Sequence, residues 1–169
     1  EAAKLVREKA KGEVPIVWGG PHPSTVPEQT LENDYVDIVC IGEGDLTFPE
    51  LVNTLSSHEP LSRVQGIGFK NGGTPTITQE RALVDVNTLP PLPWDLVDVE
   101  RYRRLWLGRH GYYSMNMVTT RGCPYHCSWC AKPIWGQQYH SRSPASVVGE
   151  TGGTVRSLAV TPGTDSMER

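Results

Sequence analysis

Apolar and polar positions change rhythm several times along the chain. From Glu1 to Lys11, Ala2, Leu5, Val6 and Ala10 share one side of a 3.6-residue repeat with Lys and Glu opposite, predicting the tail of an amphipathic helix stopped by Gly12. Val14 to Trp18 and Val36 to Ile41 are apolar runs, closed by Gly19-Gly20-Pro21 and by Gly42-Glu43-Gly44-Asp45. Continuous rather than alternating runs predict buried strands of a parallel sheet. Between them Pro27 can open a short helix through Gln29 and Leu31, because its missing N–H costs nothing in a first turn. Leu46 to Leu55 predicts a helix with Pro49 in its first turn and Leu51, Val52 and Leu55 turned inward. Helix–strand–helix–strand–helix with glycines at the strand ends is half of a doubly wound α/β domain, and such sheets bind ligands outside their carboxyl ends.

The pattern then turns to β-formers. Val64, Ile67 and Phe69 lead through Lys70-Asn71-Gly72-Gly73 into Thr74 to Thr78, which predicts a hairpin on an Asn-Gly turn. Leu89-Pro90-Pro91-Leu92-Pro93-Trp94 is too proline-rich for a helix or a central strand and reads as a stiff linker. Asp98 to Leu107 predicts a short helix, and Tyr112 to Thr119 alternates enough to predict a strand. Ser143 and Pro144 form an N-cap and N1 pair for one more helix, whereas the residues from Thr151 on lack the apolar strand that should come next. The organisation expected is an α/β segment over 1–62, a hairpin and linker over 63–93, a further α/β segment over 94–150 and a tail over 151–169.

Composition narrows the classes. The 169 residues are 37% hydrophobic, with 17 Gly and 14 Pro, as in a loop-rich globular protein. A formal charge of −3 argues against general nucleic-acid or membrane-surface binding. Arg101, Arg103 and Arg104 stand among Tyr102, Leu105 and Trp106, a mixture that can contact nucleic acid, but the acidic total favours a solvated helix face. No apolar stretch approaches the ~20 residues of a membrane span, and no signal peptide is evident. The chain starts at Glu1, already inside a helical pattern, and is therefore expected to be a piece of a longer protein.

The chemistry concentrates in Thr119-Thr120-Arg121-Gly122-Cys123-Pro124-Tyr125-His126-Cys127-Ser128-Trp129-Cys130. Three of the four cysteines are spaced C-x3-C-x2-C on a Gly/Pro loop. Soft thiolates suit iron–sulfur clusters and zinc, and three of them leave one coordination position open, whereas structural zinc takes four protein ligands. A zinc site completed by His126, His110 or His140 is the alternative. A disulfide framework fits poorly, because Cys40 sits alone in an apolar run far from the trio.

This loop, with an aromatic residue just before its last cysteine, resembles the signature of the radical S-adenosylmethionine (SAM) enzymes. The resemblance implies that Cys123, Cys127 and Cys130 hold a 4Fe–4S cluster, that SAM chelates the fourth iron and is cleaved to a 5′-deoxyadenosyl radical, and that Trp129 packs near the adenine. "VPIVWGGPHPSTVPEQTL" and "DYVDIVCIGEGDLTFPELV" resemble the second half of the cobalamin (B12)-binding domain that precedes many radical SAM cores. Implied cobalamin neighbours are Gly19, Gly20, Pro21 and His22 on one loop and Gly42, Glu43 and Gly44 on the next. The D-x-H-x-x-G signature of a protein-supplied lower cobalt ligand is absent, so His22 is not assigned that role; for Glu43 the alternative reading is a favourable carboxylate near a helix N-terminus. Residues 94–150 would open a partial (β/α) barrel whose first strand delivers the cluster loop, with Arg142 capping that loop or contacting SAM.

The function this implies is a cobalamin-dependent radical SAM enzyme, with methyl transfer to an unreactive carbon ahead of cyclisation, rearrangement or methylthiolation. The alternative outside enzymology is a zinc-stabilised or inactive module. The resemblance also implies a cytoplasmic protein, a small-molecule substrate and an electron donor such as flavodoxin or ferredoxin, without membrane attachment. A full barrel needs on the order of 200 residues or more, and about 40 follow the cysteines, so the chain alone is expected to turn over no substrate.

Overall fold

The computed structural model describes residues 1–125, 127–130 and 138–155, with side chains through 150. They divide into two compact units. One comprises Glu1–Asp85 and the described part of 122–139; the other comprises Val86–Arg121 and the described residues from His140 onward.

In the first unit α1 (Ala2–Lys9) precedes β1 (Val17–Trp18), two short helices α2 (Pro21–Thr25) and α3 (Pro27–Leu31), β2 (Ile38–Cys40) and α4 (Gly44–Ser56). The hairpin strands β3 (Ile67–Asn71) and β4 (Thr74–Ile77) follow a single 3₁₀ turn at Leu61–Arg63. The four strands form one sheet in the order β1-β2-β3-β4. β1 and β2 run parallel, with Val17 opposite Ile38 and Trp18 opposite Val39. β2 and β3 run antiparallel, with Ile38 opposite Phe69 and Cys40 opposite Ile67. The hairpin, expected in a connector, thus forms the far half of the same mixed sheet.

Side chains alternate across a strand, so neighbouring residues of β2 serve opposite faces. Ile38 packs with Leu51, Val64 and Ile67 on one face. Val39 packs with Leu31 and Val36 on the other, bordered by Trp18, Tyr35 and Ile41. Covering on both faces is what the unbroken apolar run required. At the amino ends of the parallel strands, Asp37 Oδ2 accepts from the Ile16 N–H at 2.7 Å and from Arg7 Nη2 at 2.5 Å, which ties α1 down.

Several local expectations change. Pro21 and His22, expected in a loop, open α2, where the Ser24 and Thr25 hydroxyls bond back to the Gly20 and Pro21 carbonyls at 2.8 Å each. α4 begins at Gly44 instead of Leu46, so Pro49 lies inside the helix and not in its first turn. Leu51 is fully buried as expected, but Val52 is 43% exposed and points outward. The hairpin turn is centred on Gly72-Gly73, since Asn71 pairs with Thr74. Their φ of +58° and +89° meet the demand of a two-residue turn for two left-handed residues.

In the second unit the proline linker ends in a 3₁₀ turn, Trp94–Leu96, before α5 (Val99–His110). Asp98 caps α5 by accepting from the Arg101 N–H at 2.9 Å, and Gly111 ends it with φ +76°. The strand expected over Tyr112 to Thr119 does not form; β5 spans only Thr120–Gly122. Tyr113, Met115 and Met117 are half-buried in alternation with exposed neighbours, but no strand pairs with the segment among the described residues. β5 pairs with β6 (Tyr139–Ser141) in a two-stranded sheet. α6 (Pro144–Val155) starts as expected, with Ser143 Oγ accepting from the Ser146 N–H at 3.2 Å, and runs beyond Glu150 through Gly152 and Gly153. Among the described residues no helix is long and apolar enough to cross a membrane.

Leu51 sits at the centre of the first core with no exposure. Leu51→Ala is expected to destabilise the first unit by roughly 2–5 kcal/mol, the usual range for a buried leucine truncation. Urea unfolding followed by far-UV circular dichroism, with the slope of the transition unchanged, measures it.

Candidate functional site

Two loops leave the carboxyl ends of the parallel strands, and a short relay joins them. The Gly42 N–H donates to Ser24 Oγ at 2.9 Å, and the Ser24 hydroxyl donates to the Gly20 carbonyl at 2.8 Å. One serine in the second half of α2 therefore fixes the spacing between the Gly19-Gly20 turn and the Gly42-Glu43-Gly44 turn. Gly20 (φ +98°) and Gly42 (φ +75°) hold backbone that favours glycine. A Cβ at Gly20, Gly42 or Gly44 would meet nothing within 4 Å, so these glycines present bare backbone to open space. Gly19 differs: its Cβ position lies 3.6 Å from Cys40 Cβ and faces the sheet.

The structure divides the predicted cobalamin neighbours. Gly42 and Glu43 line a cavity of about 310 Å³ together with Ser24, Ile41 and Arg81. Gly19, Gly20, Pro21 and His22 do not line it. Pro21 and His22 lie in α2, and Gly44 is the first residue of α4. Glu43 is almost buried, and its Oε2 accepts from the Val84 N–H at 2.6 Å. That carboxylate stands at the N-cap of α4 and anchors the segment after β4 to the loop. Arg81 pairs with Glu50 of α4 and also donates to the Gln65 carbonyl, closing another side of the cavity.

Cysteine placement separates into two kinds. Cys40 lies in β2 with 6% exposure, and burial pushes its thiol pKa upward while the Arg81 charge pulls it back in part. Cys123 is half-buried, Cys127 and Cys130 are exposed, and all four are free thiols. The Cys130 N–H donates to the Cys127 carbonyl at 3.2 Å, forming a turn. Trp129 within that turn is 86% exposed. Among the described residues no three His, Cys, Asp or Glu side chains converge closely enough to hold a metal ion. The trio is thus present as accessible, unpaired thiols, and the structure does not bring them together. Their soft donor chemistry fits an iron–sulfur cluster. His126, one zinc alternative, lies outside the described residues.

The base of the loop is more tightly determined. Gly122 has φ +78°, and a Cβ there would lie 2.0 Å from the Gln138 carbonyl oxygen. The Cys123 N–H donates to that same oxygen at 3.1 Å. No side chain fits between Gly122 and Gln138, which is why glycine precedes the first cysteine. Arg142, expected to cap the loop or contact SAM, is engaged as a cap: its guanidinium donates to the Val118 carbonyl at 3.2 Å and to Ser146 Oγ at 3.1 Å. Sequence reasoning missed Ser24, whose only signal was its place in Gly-Gly-Pro-His-Pro-Ser. It also missed Asn87, whose side chain reaches the segment after β6.

Comparison with known proteins gives one family and a consistent set of relatives. A family model described as the B12 binding domain matches residues 1–52. An uncharacterized methyltransferase from Pyrococcus horikoshii is 33% identical over 138 residues, covering 80% of this chain and 29% of that protein. The cobalamin-dependent radical SAM methyltransferase TokK from Streptomyces tokunonensis is 32% identical over 138 residues, covering 80% of this chain and 20% of its own. An anaerobic magnesium-protoporphyrin IX monomethyl ester cyclase from Synechocystis is 26% identical over 136 residues, with 80% and 26% coverage. Among solved structures, the cobalamin-dependent S-adenosylmethionine radical enzyme OxsB aligns with a TM-score of 0.69 at 21% identity, over 92% of this chain and 21% of that one. TsrM from Kitasatospora setae, a radical S-adenosylmethionine methyltransferase, aligns at 0.64 and 22% identity, over 93% and 31%. The chain spans about a fifth to a third of the length of these proteins.

The contrast among thiols yields a measurable order. Iodoacetamide reacts with thiolate, so Cys127 and Cys130 are expected to alkylate first and Cys40 last in the metal-free chain, as peptide mapping would show. Folding raises the Cys40 pKa. Its contribution to stability is therefore full below the unfolded thiol value of about 8.5 and declines as pH rises through the folded value. At the loop base, Gly122→Ala is expected to remove hydrogen-exchange protection from the Cys123 amide while leaving the first sheet protected.

Proposed function

Taking the chain as a relative of the B12-binding radical SAM enzymes, we propose that it is the stretch of a cobalamin-dependent radical SAM methyltransferase in which the B12-binding domain passes into the cluster-bearing core. The observation that carries this reading is the coexistence, in one chain, of a Ser24-linked pair of open glycine turns within the B12-domain match and three free thiols spaced C-x3-C-x2-C.

Cobalamin would lie against the bare backbone of Gly20, Gly42 and Gly44, with Ser24 holding the turns apart. Cys123, Cys127 and Cys130 would hold a 4Fe–4S cluster, and Trp129 would cover the nucleoside of SAM. When bound, the cluster and SAM supply one-electron chemistry on an unreactive carbon, and cobalamin supplies the methyl group. The chain's own contribution is spacing: Ser24 fixes one pair of turns, and Gly122 with Gln138 fixes the base of the thiol loop. The substrate would be a small molecule, and reduction would come from a flavodoxin- or ferredoxin-like donor in a reducing cytoplasm. Ring closure is the second reading, favoured by the likeness to the monomethyl ester cyclase. It uses the same two sites and differs at the substrate.

Anaerobic reconstitution of the 169-residue chain with iron and sulfide tests the proposal. The expected result is about four irons per chain, as a cubane requires, with visible charge-transfer absorption and a reduced EPR signal that shifts on adding SAM. Replacing any one of the three cysteines by alanine should abolish it. Stoichiometric zinc without either signal would make the chain a zinc-stabilised module. Aquacobalamin binding, read from its visible spectrum, should weaken in Ser24→Ala; equal binding by both forms would remove Ser24 from the site.

A further inference from the structure

Four side chains of the second unit meet around the two stretches that flank the cysteine loop in sequence, and no motif accounts for them. Arg142 joins the stretches directly: its backbone N–H donates to the Thr119 carbonyl at 2.9 Å, and its guanidinium to the Val118 carbonyl at 3.2 Å. That guanidinium pairs with Glu150 of α6 at 2.5 Å, where the carboxylate side chain is 1% exposed and the arginine 14%. The other Glu150 oxygen accepts from the Trp94 indole N–H at 3.3 Å. Asn87 holds the outgoing stretch from the linker, its Oδ1 accepting from the Ser143 N–H at 2.7 Å and its Nδ2 donating to the Ser141 carbonyl at 3.4 Å.

A buried ion pair adds little net stability over apolar packing, but it demands one geometry, because a displaced partner leaves a charge without compensation. Here the demand falls on Arg142, and Arg142 holds the stretch that enters the loop. Trp94 ends the proline-rich segment that the sequence presents as a spacer, and Asn87 lies two residues before its start. Prolines lower the entropy lost when those two side chains are held in place.

We propose that Asn87, Trp94, Glu150 and Arg142 form a polar clamp that fixes the separation of residues 118–119 and 141–143, so that the linker positions the ends of the cysteine loop. They are positioning residues, since none is assigned to metal or cofactor. The inference rests on the proposed function only for what the loop holds; the clamp itself can be tested without metal.

The experiment uses the full 169-residue chain and four variants: Asn87→Ala, Asn87→Asp, Glu150→Gln and, as a control on an exposed pair in the other unit, Arg63→Ala. In metal-free protein the Arg142 amide is expected to exchange about tenfold faster in Asn87→Ala and Glu150→Gln than in the parent. Asn87→Asp keeps the acceptor for the Ser143 N–H and should restore most of the protection, and Arg63→Ala should leave it unchanged. After anaerobic reconstitution, the first two variants should also lose iron to a chelator about tenfold faster, tracking the exchange. Parent-like exchange in Asn87→Ala and Glu150→Gln overturns the clamp. Faster exchange with parent-like iron retention overturns its positioning role. If the parent takes up no iron while the exchange differences appear, the clamp stands and the proposed function falls.

Discussion

Strand β2 is bonded along both edges and covered on both faces, and the architecture of the first unit follows from that double engagement. β1 pairs with it in parallel and β3 antiparallel, while Ile38 and Val39 enter separate apolar clusters. A slip of one residue would exchange those two side chains between clusters, so the register has one good solution. The register in turn decides where the chain emerges at Gly42, and only there does its N–H meet Ser24. The polar relay between the glycine turns is therefore a consequence of apolar packing three residues upstream.

What the sequence disclosed and what it hid follow the same physical line. Val36 to Ile41 and Leu51 were legible because an uninterrupted apolar run has few other uses. Tyr112 to Thr119 was not, because alternation, though its Tyr113, Met115 and Met117 are half-buried, makes a strand only where a partner strand exists. The α2 helix was hidden by glycines and prolines that signal a loop; its stability comes from hydroxyl-to-carbonyl bonds that propensity does not register. Val52 was placed inward by helical spacing, yet α4 offers the sheet a face too narrow to include it. The three loop cysteines stand out as candidates by spacing alone, and the structure leaves them apart. Ser24 and Asn87 were illegible, since each acts on a backbone group 18 and 56 residues away.

The two units are built on different terms. The first has an apolar centre with little freedom: Leu31, Val36, Val39, Leu51, Val64 and Ile67 are all without exposure. The second has no fully buried aliphatic cluster among the described residues; beside Val86, its buried centre is the Glu150 carboxylate, engaged by Arg142 and Trp94. Apolar packing tolerates modest repacking at modest cost, whereas a buried charge tolerates almost none. A segment that must hold chain ends at one separation, more than it must be stable in itself, is better served by the second kind of construction.

That difference also bears on the open cysteine loop. A metal that gathers three thiols must supply the free energy of ordering the chain between them, and that cost rises with the number of conformations the loop can sample. Gly122 against Gln138, and Arg142 against Val118 and Thr119, remove freedom at the loop's base while Cys127 and Cys130 stay exposed. Fixed ends shorten the segment left to order, and exposed thiols would leave it accessible to the proposed cluster. The ordering that the proposed cluster would have to impose is therefore confined to the thiol loop itself, between ends that Gly122 and Arg142 already hold.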